Sequence, residues 1–224
     1  MPFVLLPYAG LFEGGVMIAR APGASANRPS QQRARDRFDS ILAEAERMLI
    51  ESGLSGFSIP LLAERLGYTR GSVYAYFPTP YALFNELMAG YLLDMERFLR
   101  EELRRMPAGN WNEVAAHLVR VTADFYNQHQ VAPLLLLGGA VTDTSYRVQE
   151  MCIKHLADMA RTLFERAGMQ LPQDPDVIVL TVDIGTTCLR RSFFEHGHVT
   201  PAYCDVATTA MIGFLGPYLA LPKA

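Results

Sequence analysis

With 224 residues, half of them hydrophobic, the chain is long enough for one large or two small domains and apolar enough to pack a core. Its formal charge of −3 excludes binding to nucleic acid through a generally basic field, so any such contact must come from a local concentration of charge. Three scattered cysteines, Cys152, Cys188 and Cys204, form neither a disulfide framework nor a paired metal spacing, which fits buried thiols in a reducing cytoplasm.

Residues 1–30 read as a disordered leader. Met1 to Ile18 is apolar but broken by Pro7, Gly10, Glu13, Gly14 and Gly15, with no basic residue ahead of the apolar run, so it suits neither a signal peptide nor a membrane span. Met17 is an alternative start. Arg20, Arg28, Arg33, Arg35 and Arg37 then stand against the single Asp36, which is the local asymmetry that the overall charge requires. Such a segment can reach DNA as an arm or remain a solvated tail.

Phe38, Ile41, Leu42, Ala45, Met48 and Leu49 follow helical spacing and predict a first helix with one buried stripe, ending near Gly53, on which Glu44, Glu46 and Glu51 are solvated charges. Ser58 can cap a second helix carrying Leu61, Leu62 and Leu66, with Pro60 tolerated in its first turn. Gly67 can end it in a left-handed conformation, and Thr69 can cap a third helix two turns long, stopped by Pro78 and Pro80. Two short helices thus flank one tight turn. In the third, Val73 and Phe77 share a face that can anchor it to a core, leaving Arg70, Gly71, Ser72, Tyr74 and Tyr76 to look outward. A guanidinium, a bare backbone, a hydroxyl and two phenols suit base edges and phosphates.

From about Arg33 to Leu87 the chain resembles the DNA-binding domain of the tetracycline-repressor (TetR) family. The residues that carry the likeness are Ile59, Leu62, Ala63, Leu66, Gly67, Thr69, Gly71, Ser72, Val73, Tyr74, Tyr76 and Phe77, followed by Ala82 and Leu83. The resemblance covers about a quarter of the chain and implies a helix-turn-helix head at residues 31–80. It further implies base contacts by Arg70 and Ser72, phosphate contacts by Ser58, Thr69, Tyr74 and Tyr76, close approach of DNA at Gly71, and support by Val73 and Phe77. Arg33, in the arginine cluster, joins the DNA-binding set. One position departs: Pro80 stands where the family has a lysine, so that lysine's phosphate contact is not carried over.

The remaining residues, 81–224, read as a helical effector-binding and dimerisation domain. A helix from Pro80 carries Phe84, Leu87, Met88, Tyr91, Leu92, Met95, Phe98 and Leu99 until Pro107, and the resemblance makes it a lever between the two domains. Further helices are predicted for Trp111 to Gln128, Pro133 to Ala140, Thr144 to Ala167 (closed by Gly168), a stretch from Ile178 to His196, and Val206 to Leu215 before Gly216 and Pro217. No strand pattern occurs, so the fold class is all-α with about nine helices.

Tyr91, Met95, Phe98, Trp111, Leu118, Phe125, Met151, His155 and Met159 are the candidate pocket for a small apolar or amphipathic effector, although such a stripe also serves as plain core. Small residues in the last two helices, with their apolar neighbours, point to a homodimer interface through Gly185, Leu189, Phe193, Ala210 and Phe214, an intrachain core being the other reading. His196 and His198 are read as a loop cap rather than metal ligands, and Asp183 as a partner of Arg190 or Arg191. No metal or cofactor is expected. With no nucleophile elbow, phosphate loop or H-E-x-x-H, the chain does not read as an enzyme. The expectation is a cytoplasmic, ligand-responsive repressor that binds a palindromic double-stranded DNA operator as a homodimer, with no membrane role. The alternative is a helical small-molecule-binding or scaffold protein whose DNA-binding head has degenerated.

Overall fold

A computed structural model describes residues 25–105, 110–138, 143–166 and 169–219. Among them the chain forms nine helices and no β-strand: α1 (Gln32–Ser52), α2 (Ile59–Leu66), α3 (Arg70–Tyr76), α4 (Pro80–Arg105), α5 (Trp111–Gln128), α6 (Val131–Leu136), α7 (Asp143–Arg166), α8 (Val177–His196) and α9 (Pro201–Leu219). The expectations about Met1 to Ile18, Met17 and Arg20, and those about Pro107, Gly139, Ala140, Ala167 and Gly168, lie outside the described residues.

α1, α2 and α3 pack as a head. The α1 stripe from Phe38 to Leu49 is buried as its spacing predicts, and Ile59, Leu62, Ala63, Val73 and Phe77 close over it. α4 leaves the head and continues into a body in which α8 packs on α9, α9 on α5, and α7 on both α8 and α4. One apolar core runs from Phe38 and Phe77 through Leu83, Tyr91 and Met95 to Phe125 and Met211, so head and body share packing rather than merely a linker. A second, smaller cluster of Ala157, Ala160, Phe164, Val177, Ile178 and Leu215 joins α7, α8 and α9.

Local chemistry sets the ends. The Thr79 hydroxyl accepts from the Ala82 N–H at 3.2 Å, and Pro80 opens α4 where no N–H is needed. Asn110 and Glu113 form a reciprocal capping box on α5. Asp176 caps α8 by accepting from the N–H groups of Ile178 and Val179, both at 3.1 Å, and pairs with Arg161 at 2.5 Å. Burial alone would raise the Asp176 carboxyl pKa, but the Arg161 guanidinium and those two N–H groups together hold it below its ordinary value. The amide of Asn127 donates to the Val199 carbonyl and accepts from the Val199 N–H, both at 2.8 Å, fastening the turn between α8 and α9 to α5.

Several sequence expectations need correction. Residues 25–30 do not all belong to a disordered leader, because Asn27 bonds to the end of α3 and Arg28 pairs with Glu86. Glu44 is buried between Arg47 and Arg65, Glu46 accepts from the Tyr91 hydroxyl and Glu51 pairs with Arg65, so none of the three is simply a solvated charge. α6 begins at Val131, two residues earlier than predicted, because Pro133 fits within a first turn as well as at its head. α9 starts at Pro201 and runs through Gly216 and Pro217: Thr200 accepts from the N–H groups of Tyr203 and Cys204, and Pro217 falls in the last turn, where its missing N–H forfeits a single bond.

Candidate nucleic-acid interface

The head is held by small, specific contacts. Ser58 accepts from the Leu61 N–H at 3.3 Å to start α2. Gly67 ends it at φ 66° and ψ 25°, a conformation that costs a side chain-bearing residue energy, and its neighbour Tyr68 donates its N–H to the Ala63 carbonyl. Thr69 then caps α3 reciprocally: its hydroxyl accepts from the Ser72 N–H at 3.2 Å while the Ser72 hydroxyl donates to the Thr69 carbonyl at 2.7 Å. Tyr68, which sequence reasoning passed over, locks the turn to α1, with its hydroxyl 3.2 Å from that of Ser40 and its ring under the Arg37 guanidinium at 5.2 Å.

α3 is seated by Val73 and Phe77, both fully buried, and Phe77 stacks on Phe38 with ring centroids 4.7 Å apart. The opposite side presents Thr69, Arg70, Gly71 and Tyr74 to solvent, Tyr74 with 43% of its surface exposed. Arg33 is exposed near the start of α1. Arg70 makes no ion pair among the described residues, whereas Arg65 is already held by Glu44 and Glu51 and is no candidate for phosphate. A methyl group added at Gly71 would meet nothing within 4 Å, so backbone and solvent face each other there directly. Two expected outward residues differ. Tyr76 is half-buried, packed edge-on against Phe38 with centroids 6.0 Å apart, and the proton of the half-buried Ser72 hydroxyl is spent inside the helix, leaving that oxygen as an acceptor only.

A short solvent-facing helix, capped at its start, seated by two buried residues and joined to its predecessor by a three-residue turn, is a helix-turn-helix reading head. Residues 41–87, which contain it, match the family of bacterial regulatory proteins named tetR. That segment is a tetR-type helix-turn-helix domain. The chain's fold is similar to solved TetR-family structures over most of its length. A TetR-family transcriptional regulator from Streptomyces coelicolor is 17% identical, with a TM-score of 0.59 over 81% of this chain and 99% of that one. One from Pectobacterium atrosepticum is 18% identical, with a TM-score of 0.61 over 87% and 100%. A transcriptional regulator from Rhodococcus sp. Rha1 is 16% identical, with a TM-score of 0.61 over 82% and 98%. No curated protein sequence matches the chain. The chain thus combines a tetR-type helix-turn-helix domain at residues 41–87 with a helical fold shared by these solved regulators.

The body of the chain holds a cavity between the end of α4, α5, α7 and α8, with Met211 and Leu215 of α9 in its wall; about 700 Å³ of space lies outside the atoms, its opening included. Of the predicted effector residues, Trp111, Leu118 and Met159 line it. Tyr91, Met95, Phe98, Phe125, Met151 and His155 do not. Tyr91 is tied to Glu46 at the junction with the head, Met95 is core, Phe98 packs on Phe125, Met151 is half-buried and His155 is exposed. The α4 stripe is apolar, but it packs against α7, α5, α6 and α1, and only Leu99 and Leu103 of that helix reach the cavity. Among the described residues no charged side chain lines it, and the Trp111 indole N–H is buried there without a hydrogen-bond partner.

The predicted dimer residues also divide. Gly185 and Leu189 are buried within the chain and line the cavity; an added Cβ at Gly185 would lie 2.6 Å from the Met211 sulfur, so that glycine serves the close approach of α8 to α9. Phe193, Ala210 and Phe214 are half-buried, Phe193 on the large core and Phe214 beside Tyr218. The outward apolar residues of these helices are instead Leu180, Phe194 and Val206, with Phe194 63% exposed. Asp183 makes no ion pair among the described residues; burial raises its carboxyl pKa, Glu150 adds to this and Arg190 opposes it, while Arg191 pairs with Glu195. The His198 ring bonds to the His196 carbonyl at 3.0 Å, a local loop contact. Burial pushes the Cys152 thiol up to about 12, which keeps it from acting as a thiolate. Among the described residues no helix is long and apolar enough to cross a membrane.

Proposed function

We propose that the chain is a repressor that binds an inverted-repeat operator as a homodimer and is released when an uncharged, largely apolar molecule enters the cavity of its body. Residues 31–80 act as the reading head and residues 81–224 as the effector and dimer unit. The observation that carries the reading is the pairing of a solvent-facing α3 with a charge-free cavity through one continuous apolar core. In the head, Arg70 reads base edges, Tyr74 and Thr69 meet phosphates, and Gly71 lets the backbone approach. Ser72 serves as an acceptor for a base donor, and Arg33 supports the contact electrostatically. Ser58 and Tyr76 help chiefly by holding the head together.

The cavity offers apolar walls, the indole donor of Trp111 and the hydroxyl oxygens of Thr122 and Thr181, whose protons are already given to the carbonyls of Leu118 and Val177. A neutral ligand with an acceptor for Trp111 suits this set, because burying a charge without a partner is costly. The outward Leu180, Phe194 and Val206 on α8 and α9 supply the apolar face for a second copy, and twofold proteins meet twofold operators. Release follows from linkage: a ligand that prefers a conformation with wrongly spaced heads weakens DNA binding by its differential affinity, and DNA weakens ligand binding by the same factor.

The test is selection of bound duplexes from a random pool by the purified chain, with the winner's affinity followed against salt. Recovery of an inverted repeat supports the dimeric reader and supplies the probe for screening neutral and charged compounds. Failure to enrich any sequence sinks it and favours the alternative of a helical ligand-binding protein with a degenerate head.

A further inference from the structure

The seven residues of α3 are too few to hold themselves as a helix in water, since nucleation is costly and the last carbonyls of any helix lack internal partners. Its first turn is served by Thr69. Its last turn is served from elsewhere in the chain: the backbone N–H of Asn27 donates to the Tyr76 carbonyl at 2.7 Å, and the Asn27 side-chain amide donates to the Ala75 carbonyl at 2.8 Å. One residue satisfies two consecutive carbonyls at the end of the reading helix.

The next residue is anchored in a different place. Arg28 pairs with Glu86 at 2.6 Å, and Glu86 lies in the second turn of α4 with its side chain only 10% exposed. A carboxylate so placed needs a cation beside it, and burial raises its pKa against the pull of Arg28. Ala26, on the other side of Asn27, packs against the large apolar core. The segment therefore crosses from the start of α1, over the end of α3, to α4, a route separate from the covalent link at Phe77 to Thr79.

We propose that residues 25–31 are a strap that sets the position of the reading helix against α4, making Asn27 and Arg28 positioning residues for operator recognition rather than DNA contacts. The strap rests on the reading of α3 as the DNA-facing helix. It spends the Asn27 amide and the Arg28 guanidinium inside the protein, where a free arm would spend them on phosphate. It also gives α4 two grips on α3, so a shift in the second turn of α4 reaches both ends of the link.

The experiment uses the full chain with Asn27→Ala, Arg28→Gln, Glu86→Gln and the Arg28→Gln/Glu86→Gln double variant. Binding is measured to the selected duplex and to random DNA over a salt series, alongside amide exchange in α3. Each single change should weaken operator binding about threefold to tenfold, the range of one net hydrogen bond or ion pair, and leave random-DNA affinity and the salt slope as in the parent. The double variant should be no weaker than the worse single, since both members act through one contact. Glu86→Gln is the discriminating change: it lies on α4 away from the reading surface, and it removes a buried charge, so the fold survives it. Exchange of the Phe77 N–H, which bonds to the Val73 carbonyl at 2.9 Å, should quicken in Asn27→Ala with or without DNA. A flatter salt slope for Arg28→Gln with no effect of Glu86→Gln would make the segment a DNA arm and overturn the strap. Unchanged Phe77 exchange in Asn27→Ala would overturn it whether or not the parent enriches any DNA sequence, which separates its failure from that of the operator reading.

Discussion

Gly71→Ala should make the protein more stable and a poorer binder of its operator. Gly71 has ordinary helical geometry, since positive φ among the described glycines occurs only at Gly53, Gly67 and Gly197, and an added Cβ would meet nothing within 4 Å. Alanine therefore fits without strain and lowers the entropy of the unfolded chain, a gain of about 0.5–1 kcal/mol in a helix interior and near the lower figure at the second residue of α3. For a chain of this size that raises Tm by about 1–4 °C. At the operator the same methyl occupies the space into which the DNA backbone must come, and crowding of this kind costs about 1–3 kcal/mol, or roughly fivefold to 150-fold in Kd. Thermal unfolding followed by circular dichroism and fluorescence anisotropy on the selected duplex measure the two effects separately. A lower Tm would refute the open-space argument. A raised Tm with parental affinity would remove Gly71 from the interface.

Arg70→Ala should cost about 1–3 kcal/mol at the operator and little on random DNA, whereas Tyr74→Phe should weaken both alike; equal losses for Arg70→Ala on both DNAs would take it out of base reading. Asp176→Ala should destabilise the body by about 1–2 kcal/mol through loss of the α8 cap and the Arg161 pair. Because the folded state depresses the Asp176 pKa, that stabilisation is complete above the ordinary value of 3.8 and disappears as pH falls through the lower folded value, so the gap between parent and variant in urea unfolding should be flat from pH 7 to pH 5 and close only in stronger acid. A gap that closes near neutrality would contradict the assignment. Gly185→Ala should push the Met211 side chain into the cavity, lowering stability by about 1 kcal/mol and weakening any cavity ligand more than it weakens DNA; unchanged ligand affinity would count against the cavity as the effector site.

What could be read from the residues, and what could not, divides along the range of the interaction. Caps and turns are local, so Ser58, Gly67 and Thr69 announce α2, the turn and α3 without reference to the rest of the chain. The α1 stripe is equally plain because polar residues separate its apolar members. By contrast, Asn27 closes α3 across 48 positions of sequence, and nothing near Asn27 marks it as more than a polar residue in a leader. In α9 small and apolar residues surround the whole helix, so periodicity cannot distinguish the side facing α8 from the side facing outward, and Gly185 and Leu189 of α8 carry the same ambiguity between dimer face and intrachain core. His155 shares the spacing of its apolar neighbours yet is exposed, since a helical stripe is wider than the strip that packing actually covers. Three of the nine expected pocket residues line the cavity because sequence identifies large apolar side chains but not where five packed helices leave a gap.

The amide of Asn127, bonded twice to Val199, behaves toward the turn between α8 and α9 as a neighbouring strand would, taking both backbone groups of one residue. That turn is therefore fixed to α5, and Ser192 completes the frame by bonding to His198 and Thr200. The angle between α8 and α9 is settled inside each chain before two chains meet. In the proposed homodimer, association then need not order the helices that make the contact, so little conformational freedom is lost on pairing, and the encounter is governed by collision and orientation. Cutting the staple with Asn127→Ala should appear first as slower assembly from dilute chains, while the mature pair keeps the same face.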